Sequence, residues 1–288
     1  MAIAARYRPA QPCRRLAEDG PTLPGQSLRH PLRAHTHILK PPTGEFDALA
    51  ENEHLCLRLA RKLGLAVARS RVMRFGDEVA IIIERYDREA TATGIVRIHQ
   101  EDLCQALAVS PTRKYENEGV PGAIAIAGQL RETSSKPGED VARFVDALIF
   151  NWLIGGTDAH AKNYSVLIGR GGVVRLAPLY NVASILPYDF DLQRVRLAMR
   201  IGGEYRLRDI SVPQWDRLNK DLKLDRDATI ARIRRLAEAI PDTLADVGKA
   251  AKADGLAHPL TDRLAEAIIA RAGKCAALWD EPGDLSVP

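Results

Sequence analysis

The sequence has few cysteines and no long run of apolar residues. Its cysteines are far apart, and none of their spacings matches a metal-binding or redox motif: Cys13, Cys56, Cys104 and Cys275. Four cysteines in 288 residues are too few for a disulfide framework. The sequence also has no stretch of about 18 apolar residues and no secretory signal. We therefore expect a cytoplasmic protein in a reducing environment, with no membrane partner.

An excess of charge of one sign is also lacking. Lysine and arginine total 41 and aspartate and glutamate 37, which leaves a formal net charge of +4. A dedicated nucleic-acid-binding protein would need a concentrated basic face, and this balance does not indicate one. The sequence has no Walker phosphate loop, no Gly-x-Gly-x-x-Gly and no Gly-x-Ser-x-Gly. With 46% hydrophobic and 27% charged residues, it is typical of an ordinary globular protein.

The first third of the chain predicts a small lobe rich in β-strands. Residues 1–33 are rich in Pro, Arg and Gly and predict an irregular or degraded N-terminal segment. Residues 34–88 then predict a strand, an amphipathic helix and a hairpin, at His35–Lys40, up to about Gly64, and at Arg69–Phe75 with Val79–Ile83. Because Val79–Ile83 is apolar throughout, we expect it to be the central, doubly buried strand of this lobe.

The remaining residues, 89–288, predict a larger helical lobe. Val141–Ile154 is apolar on nearly all sides, which is typical of a helix buried in the middle of a lobe. A second hairpin follows, formed by Tyr164–Ile168 and Val173–Leu176. Further helices are expected at Glu101–Leu107, Ile124–Leu130, Leu222–Ile240, Asp242–Ala253 and Leu260–Leu278. The predicted fold class is α+β.

The polar segment Thr157–Asn163 is the strongest candidate for a reactive site. It lies between a very apolar helix and an apolar strand, which can hold side chains rigidly. Asp158 and Asn163 are five residues apart, as in phosphoryl-transfer enzymes where the aspartate accepts a hydroxyl proton and the asparagine binds magnesium. The alternative is a well-satisfied polar loop in which Asp158 caps a turn.

Two further segments gain meaning only in combination with this loop. Lys40 ends the first strand and could neutralise ATP phosphates, with Glu51 or Glu53 as its carboxylate partner. A surface lysine is the commoner interpretation of such a position. The stretch from Glu84 to Tyr86 follows the buried strand, where two lobes of a nucleotide enzyme would join. Its alternative is a charged linker.

The segment that ends at Tyr180 and Asn181 closes the second hairpin beside Asp158, where a metal-binding carboxylate would be expected. Asn181 offers an amide oxygen without charge, which is a weaker ligand for a hard cation. His35 and His37 share a strand face, but no third ligand for zinc is evident nearby.

Six ordered segments resemble one known family. They are Thr36–Pro42, Glu51–Cys56, Arg97–Ala106, Asn151–Ser165, Leu176–Tyr180 and Ile201–Tyr205. Together they are similar to the HipA-like serine/threonine kinases, the toxins of bacterial HipBA toxin–antitoxin systems. The resemblance covers about residues 34–280. It implies a protein-kinase-like fold with a small β-rich lobe and a larger helical lobe.

The resemblance also implies ATP-dependent phosphorylation of a protein hydroxyl. By that likeness Lys40 contacts the phosphates of ATP, Glu84 and Tyr86 hold adenine, and His160 lies near the nucleotide. Asp158 is implied as the catalytic base, and Asn163 and Asn181 stand at the magnesium positions. The implied partners are a HipB-like helix-turn-helix antitoxin, with nucleic acid met only through it, and a protein substrate such as an aminoacyl-tRNA synthetase.

Three departures from the family pattern leave the activity open. Asn181 replaces a magnesium-binding aspartate, which predicts a loss of several powers of ten in rate. The phosphate-covering segment has Pro9 and Cys13 where glycine and lysine are expected, and Arg6 where a regulatory serine is expected. Against the family pattern we also expect the N-terminal domain that precedes the kinase core to be missing, as in an N-terminally truncated or degraded member. The alternatives are therefore an impaired kinase, a pseudokinase that binds nucleotide or antitoxin, and a deliberate exchange at position 181.

Overall fold

A computed structural model describes residues 36–280, apart from 42–43, 45, 111–115 and 117–118. The segment around Pro9 and Cys13, and His35, lie outside these residues. The small lobe begins with strand β1 (His37–Lys40) and helix α1 (Leu49–Lys62), followed by β2 (Ser70–Phe75) and β3 (Glu78–Glu84). The three strands form one antiparallel sheet in the order β1-β3-β2. The predicted strand, helix and hairpin are confirmed.

Strand β3 is the central strand of this sheet, as its apolar sequence predicted. Its residues Ala80–Ile83 are all buried. Ile81 and Ile83 belong to the same apolar core as Leu57 and Leu59 of α1. The sheet and helix α1 are therefore held together by hydrophobic burial, the dominant favourable contribution to folding.

The next strands connect the small lobe to the helical lobe. Strands β4 (Arg88–Thr91) and β5 (Gly94–Arg97) form a two-stranded ribbon that the sequence did not predict. Strand β6 (His99–Asp102) then leads directly into the short helix α2 (Leu103–Ala106). The prediction of a helix over Glu101–Leu107 is thus wrong for its first residues. Asp102 ends the strand and caps α2, because its Oδ1 accepts hydrogen bonds from the amides of Cys104 and Gln105.

Helices α3 (Ala123–Thr133) and α4 (Pro137–Ile154) follow, each longer than predicted. The second predicted hairpin is confirmed as β7 (Ser165–Ile168) and β8 (Val174–Leu176). Its strand β7 also pairs with β6, so that the sheet order is β6-β7-β8. This long-range pairing explains why Glu101 and Asp102 are extended rather than helical.

The last part of the chain is a hairpin and three helices. Strands β9 (Arg196–Ile201) and β10 (Glu204–Arg206) form the unpredicted hairpin, and the helices are α5 (Val212–Asp221), α6 (Arg226–Ala253) and α7 (Pro259–Ala277). The two helices predicted at Leu222–Ile240 and Asp242–Ala253 are one helix, with Pro241 inside it. Ile240 and Leu244, on either side of the proline, are buried. Their packing stabilises the helix across Pro241, although proline normally interrupts a helix.

Helix α4 is surrounded by other elements, as its sequence predicted. Phe144, Ile149 and Phe150 are fully buried. The helix ends at Gly155, whose φ of +66° is the left-handed conformation that glycine adopts most readily. Its end fixes where the following polar loop begins. Among the described residues, Cys56, Cys104 and Cys275 are free thiols, and no helix is long and apolar enough to cross a membrane.

The beginning of α4 is tied to β8 by a buried carboxylate, Asp140, whose exposed fraction is 0%. It accepts hydrogen bonds from Ser134 Oγ at 2.6 Å, from the amide of Leu176 at 2.9 Å, and from Arg175 Nε at 3.0 Å. Arg143 Nη1 donates to it at 3.0 Å. Burial alone would raise the pKa of Asp140, but these donors outweigh burial and hold the pKa below its usual range.

We predict that Asp140→Ala lowers the free energy of unfolding by about 3 kcal/mol, because it removes the buried acceptor that two arginines and the Ser134 hydroxyl share. Since the folded pKa is lowered, this contribution is complete above the unfolded pKa of about 4 and is lost as the pH falls through the folded value. Urea unfolding at pH 7 and at pH 3 measures the difference in the free energy of unfolding between the wild type and Asp140→Ala, and this difference should be smaller at pH 3.

The matched control is Glu139→Ala, because Glu139 contacts the same Arg175 at 2.5 Å but is half exposed. An exposed ion pair contributes little, so this variant should unfold as the wild type does. Equal losses in the two variants would contradict the importance of the buried carboxylate.

Candidate functional site

The ammonium group of Lys40 lies where the two lobes face each other. Its Nζ donates to Glu53 Oε1 at 2.8 Å and to Oε2 at 3.0 Å. The Glu53 side chain is only 7% exposed. The structure thereby decides between the two candidate glutamates. Glu51 is two residues earlier on α1, about 200° around the helix axis, and points elsewhere.

The polar loop after α4 is closed by its own hydrogen bonds. The amide of His160 donates to the carbonyl of Asp158 at 2.8 Å, and Asn163 Nδ2 donates to the same carbonyl at 2.5 Å. Asn163 Nδ2 also lies 3.4 Å from Asp158 Oδ2. The Asp158 carbonyl therefore makes the two short contacts that close the turn, and the Asp158 carboxylate adds a longer one. The Asp158 side chain is 28% exposed and lies beside Asn181.

Asn181 joins these two groups. Its Oδ1 accepts from Lys40 Nζ at 3.0 Å, and its Nδ2 lies 3.4 Å from Asp158 Oδ2. Because lysine can only donate and a carboxylate can only accept, these contacts fix which end of the amide is which. Asn181 has φ of +55°, a left-handed backbone that asparagine tolerates better than most residues.

The structure thus brings together four of the residues that the sequence singled out: Lys40, Asp158, Asn163 and Asn181. His160 is buried beside them, with Nε2 3.6 Å from Asp158 Oδ1. His37 is exposed, and the described residues contain no group of three or more His, Cys, Asp or Glu side chains that could hold a metal.

The two predicted adenine-binding residues lie at the edge of the site. Glu84 is the exposed last residue of β3, three positions along the strand from Ile81, the partner of Lys40. That spacing is about 10 Å. Tyr86 packs on Tyr180, with ring centroids 5.8 Å apart. Burial raises the pKa of Tyr86 to about 12, so that its hydroxyl stays protonated at neutral pH.

Tyr180 is a residue of the site that sequence reasoning did not assign. Its hydroxyl lies 2.6 Å from Ser165 Oγ and donates to the carbonyl of Lys162 at 2.8 Å. It therefore ties the residue before Asn181 to the loop that carries Asp158, and it supports the ring of Tyr86. In the sequence, the position of Tyr180 directly before Asn181 could have indicated that it belongs to the site.

The donor set fits magnesium only in part. Asn163 uses its Nδ2 on Asp158, which leaves its amide oxygen as a ligand for a cation that also binds substrate phosphates. At position 181 the oxygen accepts from Lys40, and the nitrogen faces Asp158. The oxygen of Asn181 already accepts from Lys40 and carries no charge, so it is a weaker ligand for a second magnesium ion than a carboxylate would be.

Comparison with known proteins identifies the family. The profile of the HipA-like C-terminal domain matches residues 11–244. The chain belongs to this family. It is 39% identical over 216 residues to "Putative kinase Y4mE" of Sinorhizobium fredii, and 34% identical over 225 residues to the serine/threonine-protein kinase toxin HipA of Shewanella oneidensis. These alignments cover 75% and 74% of the chain but 51% of each relative, so the chain spans about half their length.

Solved structures agree with this assignment. The HipA chain in a Shewanella oneidensis complex of HipA, HipB and operator DNA superposes with a TM-score of 0.76 at 27% identity, covering 88% of this chain and 61% of that one. The Helicobacter pylori kinase CtkA shares the fold with a TM-score of 0.57 at 12% identity, covering 84% and 88%. The protein-kinase-like α+β fold predicted from the sequence is confirmed.

We predict that Lys40 and Glu53 are energetically coupled. Lys40→Met leaves a nearly buried carboxylate unpaired, whereas the double variant with Glu53→Gln removes both charges. Urea unfolding of the two single variants and the double variant should give a coupling free energy of about 1.5 kcal/mol.

The matched control is the pair Arg58–Asp254, which also has one partner on α1 and a similarly short contact of 2.7 Å, but whose aspartate is 57% exposed. Its coupling should stay below about 0.5 kcal/mol. Equal coupling in the two pairs would contradict a special role for Lys40 and Glu53.

Proposed function

We propose that the chain is the kinase core of a HipA-like serine/threonine protein kinase, which binds ATP between its lobes and transfers the γ-phosphoryl group to a protein hydroxyl. The observation that carries this proposal is the convergence on one point of Lys40, Asp158 and Asn181, which are up to 141 residues apart in the chain. A strand lysine paired with a helix glutamate, opposite an aspartate and an asparagine five residues apart, is the arrangement that protein kinases use for phosphoryl transfer.

The proposed roles follow from where each group lies. Lys40, held by Glu53, contacts the phosphates, and backbone groups from Glu84 to Tyr86 meet the adenine edge. Asp158 accepts the proton of the attacking hydroxyl while that oxygen forms a bond to the γ-phosphorus and the bond to the β-phosphate oxygen breaks, releasing ADP. His160 supports Asp158 beside the phosphates. Magnesium, when bound at Asn163, would supply charge neutralisation for the triphosphate.

The second candidate function is that of a pseudokinase, which binds nucleotide or antitoxin without turnover. The contacts of Asn181 favour it, because an amide already hydrogen-bonded to Lys40 and facing Asp158 replaces a charged metal ligand. One missing carboxylate weakens magnesium binding and the stabilisation of transition-state charge, which costs several powers of ten in rate. Nucleotide binding through Lys40 does not require that carboxylate.

We propose a HipB-like helix-turn-helix antitoxin as partner, with DNA contacted only through it. The support is the similarity to the HipA chain that was solved together with HipB and operator DNA. The proposed substrate is a protein hydroxyl, with an aminoacyl-tRNA synthetase as the candidate that the family resemblance implies. Both proposals concern the whole protein, since the chain spans about half the length of the relatives.

The test is a thermal-shift titration with ATP, with and without magnesium, combined with transfer of labelled γ-phosphate. At 100 times its Kd, ATP should add about 2.7 kcal/mol, which for a chain of this size raises the Tm by about 5 °C or more. Lys40→Met should abolish most of this shift. Asp158→Asn should keep the shift and abolish transfer.

The variant that separates the two candidates is Asn181→Asp. If the chain is an impaired kinase, the wild type transfers label slowly and Asn181→Asp is faster by about 100-fold or more. If it is a pseudokinase, the wild type shows the thermal shift without transfer. A wild type that ATP does not stabilise, with or without magnesium, would contradict both candidates.

A further inference from the structure

Asn52 is fully buried next to Glu53 in α1, and the proposed function assigns it no role. Its Nδ2 donates to the carbonyl of Ser184 at 2.8 Å, and its Oδ1 accepts from the amide of Ser184 at 3.0 Å. Nδ2 also contacts the hydroxyl of Tyr188 at 3.3 Å. The side-chain amide thus pairs with a backbone residue as a neighbouring strand would, and this double pairing admits only one orientation of the amide.

Ser184 lies three residues after Asn181 and has a second set of contacts. Its Oγ donates to the carbonyl of Ile154, the last residue of α4, at 2.5 Å. The amide of Ile185 donates to the carbonyl of Gly155 at 3.1 Å. Asn52 and Ser184 therefore form one buried junction of three parts: α1, the segment after Asn181, and the start of the loop that carries Asp158.

The segment after Asn181 is fastened to the beginning of α1 as well. The hydroxyl of Tyr188 donates to the carbonyl of Asp47 at 3.0 Å. The ring of Tyr188 packs against that of Phe46, with centroids 5.0 Å apart. The polar junction at Asn52 thus has an aromatic contact near it, made by a residue just before the start of α1.

We propose that Asn52 is a positioning residue that locks α1 in the orientation in which Glu53 holds Lys40. This inference rests on the proposed function. In protein kinases the position of the corresponding helix decides whether the lysine–glutamate pair forms. Here a rotation of α1 that withdrew Glu53 would also break the two buried hydrogen bonds between Asn52 and the backbone of Ser184. The buried polar groups would then lose their partners, which is costly. The paired state is therefore built into the core and needs no modification to form.

The test is Asn52→Ala, with Asn52→Leu as a second variant that keeps the buried volume. Activity is measured in the wild-type sequence and in the Asn181→Asp background, so that slow turnover does not hide the effect. Loss of the lock should lower kcat by about 100-fold, the cost of a displacement of about 1 Å in a catalytic group. The KM for ATP should change by less than about 5-fold, since the lock acts on orientation rather than on nucleotide contacts.

Hydrogen exchange provides a measurement that needs no turnover. In the Asn52 variants, amides of α1 (Leu49–Lys62) should exchange faster, while those of α5 (Val212–Asp221) should not change. The control is Asn219→Ala, which removes an equally buried asparagine from α5 and should leave both kcat and α1 exchange within about 2-fold of wild type.

Wild-type kcat and wild-type α1 exchange in the Asn52 variants would overturn the proposal. Equal losses in Asn219→Ala would overturn it too, because they would reflect a general loss of stability. If ATP does not bind the wild type at all, the proposed function fails, whereas the exchange of α1 still decides whether Asn52 locks the helix.

Discussion

The rest of the site depends on the hydrogen bonds that the ammonium group of Lys40 makes to both lobes. This group contacts Glu53 from the small lobe and Asn181 from the helical lobe, so one positive charge sets the spacing between the two halves of the cleft. Partial burial makes such a charge-assisted contact stronger than it would be in water and costly to leave half made. Asn181 in turn contacts Asp158 through its Nδ2, so the aspartate of the loop lies opposite the lysine of the sheet.

The rigidity of this arrangement comes from the surrounding core. Helix α4 is buried among other elements, and its left-handed end at Gly155 fixes where the polar loop starts. Tyr180, the residue before Asn181, is hydrogen-bonded to that loop. The proposed lock at Asn52 joins α1 to the segment after Asn181. A site built on packed helices and strands can hold reactive groups more closely than one on free loops. Under the proposed function, the uncharged Asn181 stands where a second magnesium ion would need a charged ligand.

The sequence predicted those features that depend on local pattern. The apolar residues on all sides of Val141–Ile154 and the continuous apolar run in β3 correctly predicted that both elements are buried. The five-residue spacing of Asp158 and Asn163 indicated the loop that carries them. Features that depend on distant partners were missed. Glu101 is extended because β7 pairs with β6, and α6 continues through Pro241 because its neighbours are buried. The choice of Glu53 over Glu51, and the pairing of Asn52 with Ser184, required the three-dimensional path of the chain.

The most direct test of the central claim is a crystal structure with a nonhydrolysable ATP analogue and manganese, whose anomalous signal locates the metal. We predict a triphosphate beside Lys40 with the contact to Glu53 intact, and one metal ion near Asn163 with none at Asn181. Nucleotide bound away from Lys40, or a metal ion coordinated by Asn181, would contradict it.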